Sequence, residues 1–161
     1  MDKIHQISAT HLAIEQIGEI IKKGIRLELS EDARQRIIRC RTYLDKKIME
    51  SETPIYGVTT GFGSLCKISI DKDSLSQLQK NLVMSHACGV GDRIPNEIVK
   101  IMLLLKIQSL SYGYSGCQLQ TVERLIDFFN NDIFPIVYMQ GSLGASGDLV
   151  PLAHLSLPLI G

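Results

Sequence analysis

Gly141-Ser142-Leu143-Gly144-Ala145-Ser146-Gly147-Asp148-Leu149-Val150-Pro151-Leu152-Ala153-His154 joins a glycine-rich loop to an apolar helix. Its first half has a glycine at every third position, a spacing suited to tight turns rather than to a helix or strand interior. Asp148 stands where a helix N-cap is expected. From Leu149 to Ile160 only His154 and Ser156 are polar. A helix apolar on nearly every side has to be covered by protein or lipid, whereas chain ends are usually exposed and polar. The expectation is that residues 1–161 form the N-terminal part of a longer chain.

Upstream, the pattern is helical and punctuated by glycine. Leu12, Ile14, Ile17, Ile20 and Ile21 recur near helical spacing, which predicts a helix from about Thr10 to Lys23, stopped by Gly24. Ser30 is a good N-cap for a second helix reaching about Glu50, with Glu31 and Asp32 well placed against its dipole. From Glu52 to Ile70 the periodicity fails, and Pro54, Gly57, Gly61 and Gly63 indicate a structured loop with a short strand at Lys67–Ile70. Helices are predicted again at Ser74–Ala87, Pro95–Leu110 and Leu119–Asn130, and a last one from near Asp148.

Composition limits the function classes. The chain has 161 residues, 45% hydrophobic, with 17 basic against 17 acidic side chains. That suffices for one domain with one core. A net charge of zero and the lack of a Lys/Arg run argue against a nucleic-acid partner. The stretch Met1–Ile25 has no apolar leader core, and no apolar run reaches the roughly 18–20 residues needed to span a bilayer. Cys40, Cys66, Cys88 and Cys117 are singly spaced, which reads as reduced thiols rather than a zinc site or a disulfide framework. A cytoplasmic protein without a metal is the expectation.

Ala145-Ser146-Gly147 admits two readings. The plain one is a turn leading into the Asp148 cap. The chemical one begins with the Gly147 amide nitrogen, unhindered by a Cβ, attacking the Ala145 carbonyl carbon. Closure of that five-membered ring, with loss of its water and of the Ser146 hydroxyl, leaves a 4-methylidene-imidazol-5-one. This is an electrophile that no unmodified side chain provides. Tyr56 is either a loop aromatic on the core or a base. A free phenol, with a pKa near 10, is a poor base at neutral pH unless its surroundings favour the phenolate. His86 is either a satisfied structural imidazole or a ligand for another imidazole, since a neutral ring both donates and accepts.

Three segments in order resemble the aromatic amino acid ammonia-lyases. The loop and helix quoted above are similar to that family's prosthetic-group signature. Tyr56-Gly57-Val58-Thr59-Thr60-Gly61-Phe62-Gly63 resembles its catalytic tyrosine loop. Gln79-Lys80-Asn81-Leu82-Val83-Met84-Ser85-His86-Ala87-Cys88-Gly89-Val90-Gly91 resembles its substrate-side-chain segment. The resemblance runs from near Ile4 to Gly161. It implies a mainly α, multi-helical fold with Gly-rich loops and little or no β. Residues 1–161 would be its single N-terminal piece, with the central helical bundle and C-terminal part beyond them.

The resemblance also implies roles. Ala145, Ser146 and Gly147 would form the methylidene-imidazolone, to whose methylidene carbon the substrate amine adds. Tyr56 would remove the β-proton, and Gly57, Gly61, Asn81 and Asp148 would support the loops. The pair Ser85-His86 resembles histidine-specific members, where tyrosine- and phenylalanine-specific ones resemble His-Leu or Phe-Leu. The implied reaction is loss of ammonia from L-histidine to give trans-urocanate. A tyrosine or phenylalanine ammonia-lyase, an aminomutase, and a non-catalytic helical interaction module stay open. Family sites are built from three subunits of a homotetramer, and their carboxylate-gripping arginine would lie beyond residue 161. The piece alone is therefore expected to be silent, and ring closure in it is expected to depend on compression by the surrounding fold.

Overall fold

Alternation that the helical reading passed over opens the chain. The computed structural model describes residues 3–51 and 53–161; Met1, Asp2 and Glu52, which enter the leader and loop readings, lie outside them. Strand β1, Ile4–Ile7, pairs in parallel with β2, Arg26–Leu29, in the register Ile4↔Arg26 to Ile7↔Leu29. Parallel strands need a crossover, and helix α1, Ile14–Lys22, supplies it. In Arg26-Leu27-Glu28-Leu29 the leucines are buried and the charged residues exposed, the period-two signature of a half-buried strand. Helix α1 begins later than the expected Thr10, because Gln16 accepts the Ala13 N–H and fixes the first turn there.

Helix α2, Glu31–Glu50, starts as its sequence requires, with the Ser30 hydroxyl accepting the Ala33 N–H. Helices α3, Leu75–His86, α4, Asn96–Ser111, and α5, Leu119–Asn130, match their periodic stretches closely. Two short antiparallel strands, β3 (Val90–Arg93) and β4 (Tyr138–Gln140), pair with each other, and α6 runs Leu149–Ser156. The strand expected at Lys67–Ile70 is only an isolated bridge between Ser69 and Thr60, since 3-10 and turn hydrogen bonds occupy the neighbouring backbone. The described residues are thus mainly helical, with strands of three or four residues.

These elements form two compact units. The first, through Leu44 and again over Ile94–Phe134, is a helical layer on the β1–β2 pair. Its core holds Ile7, Ile20, Leu27, Ile37, Leu103, Ile107 and Phe129. Asn130 finishes α5 by accepting the Leu27 N–H and donating to the Leu27 carbonyl, both at 2.8 Å, so one side chain extends the edge of β2. Removing it strands two backbone groups in a part-buried place. We expect Asn130→Ala to cost about 2 kcal/mol, read as a fall of roughly 4–8 °C in Tm by circular dichroism. An unchanged Tm would contradict the assigned bond.

The second unit, Asp45–Arg93 with Pro135–Gly161, carries all three motif segments. Helix α6 packs on α3 and β4. Only its Ala153, His154 and Leu155 are buried, and Leu149, Val150 and Leu152 are half-buried, so one side of this apolar helix is covered.

Candidate active site

The tyrosine loop is held shut by its own backbone. Thr59 accepts the Ile55 N–H through its hydroxyl, and buried Thr60 accepts the Gly57 N–H while donating to the Gly61 carbonyl. Gly57 has φ +69°, and a Cβ there would meet the Phe62 ring at 2.7 Å. At Gly61 a Cβ would meet Leu65 Cβ at 2.8 Å. Both glycines therefore let the chain close on itself.

Folding the loop this way sets Phe62 between the two candidate side chains. The Tyr56 and Phe62 ring centroids are 5.7 Å apart and tilted, and those of Phe62 and His86 are 5.7 Å apart edge to face. Such spacings are ordinary attractive aromatic geometry. Tyr56 is 61% exposed, and its phenolic oxygen accepts the Gly63 N–H at 3.3 Å. Gln79, to which sequence reading assigned no role, donates from α3 to the carbonyls of Gly57 and Val58. It clamps the tyrosine loop to the helix that ends in His86.

The hydrogen bonds of His86 fix its tautomer. Nδ1 lies 2.7 Å from the Leu82 carbonyl oxygen, which can only accept, so Nδ1 carries the proton. With Nδ1 donating, a neutral ring has its acceptor at Nε2, which has no hydrogen-bond partner among the described residues. Ser85 hydroxyl also donates to Leu82 and lies 3.3 Å from the same Nδ1. Asn81 is exposed on α3 and accepts from Gln77 one turn before it. Among the described residues no hydrogen bond or ring contact joins Asn81 or the tripeptide to the aromatic row.

Ala145 and Ser146 lie in a single 3-10 turn, Gly144–Ser146, that Gly147 closes in the left-handed conformation on an exposed loop. Ser146 Oγ donates to the Leu143 carbonyl at 2.8 Å, and the Gly147 N–H donates to the Gly144 carbonyl at 3.0 Å. Asp148 occupies the N-cap position of α6 without capping it. Its φ is +54°, rare for a residue with a Cβ, and its carboxylate accepts from the Ser142 hydroxyl. The side chain thus ties the two ends of the loop together, and the plain reading as a helix cap fails. Backbone held in a sparsely populated region on purpose is characteristic of functional loops.

These residues fit a methylidene-imidazolone. The nitrogen required for closure belongs to Gly147 at φ +88°, where a side chain would be strained. The turn already folds residues 145–147 back, and closure requires Gly147 to exchange its Gly144 bond for the Ala145 carbonyl carbon. Among the described residues no three His, Cys, Asp or Glu side chains gather as a metal site, and no helix is long and apolar enough to cross a membrane. A cavity of about 260 Å³ in the first unit, lined by Arg26, Lys100, Phe129 and Asp132 among others, holds none of the motif residues.

The family model for aromatic amino acid lyases matches residues 12–161. The chain belongs to the aromatic amino acid lyase family. Within it, a histidine ammonia-lyase of Deinococcus radiodurans is 52% identical over 93% of this chain and 28% of its own length. Among solved structures of similar fold, histidine ammonia-lyase from Trypanosoma cruzi is 32% identical with a TM-score of 0.84, over 99% of this chain and 30% of that one. Ergothionase from Treponema denticola is 28% identical with a TM-score of 0.93, over 99% and 32%. The chain thus spans about 30% of the length of the lyases it matches.

One buried group of this aromatic amino acid lyase family member, His154, was assigned no role from the sequence. His154 is 7% exposed, its Nε2 accepts the Gly89 N–H at 2.8 Å, and its ring meets Tyr138 edge to face at 5.3 Å. Burial holds its pKa below the ordinary imidazole value, which keeps Nε2 in the accepting form.

Proposed function

We propose that this chain is the amino-terminal share of a histidine ammonia-lyase, which eliminates ammonia from L-histidine to give trans-urocanate. The observation that carries the reading is His86, whose Nδ1 proton is committed to Leu82 and whose Nε2 is left to accept. An imidazole substrate offers the N–H donor that such a nitrogen takes, and a phenyl ring does not. The relatives that this chain matches include histidine ammonia-lyases at 52% and 46% identity.

When formed at residues 145–147, a 4-methylidene-imidazol-5-one supplies an electrophilic carbon for the substrate amine. The chain's own side chains do the rest of the work assigned to this segment. Tyr56 takes the substrate β-proton at its phenolic oxygen, steadied by the Gly63 N–H. Phe62 sets an apolar ring between Tyr56 and His86 and fixes their separation. Ser142 and Asp148 brace the loop that carries Ser146. No metal enters this scheme.

The reading extends to the whole enzyme. It assembles as a homotetramer, with the substrate carboxylate gripped by residues beyond this segment, and residues 1–161 alone turn nothing over. Four unpaired thiols suit the reducing cytoplasm. The test is turnover by the complete enzyme, followed as urocanate from histidine, with tyrosine and phenylalanine in parallel. Coumarate, cinnamate or a β-amino acid as the main product would contradict it. His86→Leu is expected to lower kcat/KM for histidine about 10- to 100-fold, the cost of one specific hydrogen bond. An unchanged value would remove His86 from substrate recognition.

A further inference from the structure

The His154–Gly89 hydrogen bond connects two segments that the proposed chemistry needs in register. Gly89 follows His86 by three residues, through a tight turn in which the Ala87 N–H reaches the Met84 carbonyl and the Cys88 N–H reaches the His86 carbonyl. His154 stands on α6, the helix that leaves the Ser146 loop through Asp148. The junction is closely packed. A Cβ on Gly89 would meet His154 Nε2 at 2.9 Å and the Gln140 carbonyl oxygen at 3.3 Å. A Cβ on Gly141 would meet Val150 Cγ1 at 3.0 Å and Gly89 Cα at 3.2 Å. Two glycines and one imidazole thus bring the end of α3, the start of the Ser146 loop and α6 together at contact distance.

We propose that His154 is a positioning residue, whose acceptor nitrogen locks the His86 segment to the helix carrying Ser146 and so sets the distance between substrate side chain and reacting carbon. The proposal rests on the histidine ammonia-lyase reading for its kinetic consequence, and on geometry alone for the bond. A part-buried backbone N–H deprived of its acceptor leaves the junction free to shift. Misplacement by about 1 Å, remote from the chemistry, costs on the order of 100-fold in rate. The cost falls on kcat, because the substrate is still bound by other groups but no longer in reacting alignment.

The test compares His154→Phe, which keeps a ring against Tyr138 but has no acceptor, with His154→Gln, whose amide oxygen can accept the Gly89 N–H. Both are made in the complete enzyme. In His154→Phe, kcat for histidine is expected to fall about 10- to 100-fold with KM changed less than about threefold. Hydrogen exchange of the peptide containing Gly89 is expected to quicken at least about tenfold. The mass deficit at residues 145–147 should persist, because the bonds that fold that loop, Ser142 to Asp148 and the Gly147 N–H to the Gly144 carbonyl, do not involve His154. His154→Gln should recover both kcat and slow exchange. Gly89→Ala, which presses a Cβ onto Nε2, should reproduce the kcat loss from the other partner, and it decides the matter if His154→Phe does not fold. Unchanged kcat and exchange in His154→Phe, or equal damage in folded His154→Gln, would overturn the proposal. An enzyme silent on histidine, but with exchange that responds to His154→Phe and not to His154→Gln, would overturn the functional reading and leave the bond standing.

Discussion

Ser146→Ala in the complete enzyme is expected to stop ammonia release, with kcat reduced by more than about 1000-fold, equivalent to roughly 4 kcal/mol of transition-state stabilisation. Ser146 Oγ makes one hydrogen bond on an exposed loop, to the Leu143 carbonyl. Water can replace it there, so the substitution should leave Tm within about 2 °C. Loss of activity without loss of fold is the mark of a residue whose atoms become part of the chemistry. The alanine lacks the hydroxyl whose loss, with the Cα hydrogen, would form the exocyclic double bond, and so the tripeptide mass should show no loss of the second water. A variant that turned over histidine at an undiminished rate would show that the serine is only a turn residue.

Tyr56→Phe should lower kcat about 100- to 10,000-fold, the range for removal of a positioned general base. The phenyl ring keeps the contact with Phe62 at 5.7 Å, so the aromatic row and the His86 end of α3 should be preserved. The lost interaction is the one with the Gly63 N–H, which lies on an exposed turn that water reaches. KM should therefore change less than about threefold, because in the proposed reaction the deleted oxygen acts on the β-proton in the transition state and adds little to ground-state binding. A large rise in KM with kcat retained would make Tyr56 a binding residue and move the proton-removing role elsewhere.

The sequence was most readable where its period was long. α2, α4 and α5 each carry an apolar stripe over three or more turns, and Ser30 marks the start of α2 in chemical terms. β1 escaped because four residues hold too few alternations to register. β2 was legible as Arg26-Leu27-Glu28-Leu29, but the reading passed over it between two stronger helices. In the site, Tyr56, Gly57 and Gly61 stand in a loop whose glycines visibly serve close approach. What could not be read was which side chains hold the motifs together. Gln79, Phe62 and His154 act on groups 6 to 65 positions away in the chain, and nothing local announces a partner at that separation. Asp148 shows the converse. Its position before a helix signals a cap, but the left-handed backbone turns the carboxylate to Ser142, and only the folded loop reveals that.

The central claim is that Ala145, Ser146 and Gly147 close into a ring. The direct measurement is the mass of the peptide spanning residues 141–154, released by proteolysis from active enzyme. The account predicts a mass lower by two waters than the sequence requires, with the deficit confined to residues 145–147 by fragmentation. A full, unmodified mass in enzyme that still converts histidine to urocanate would contradict it.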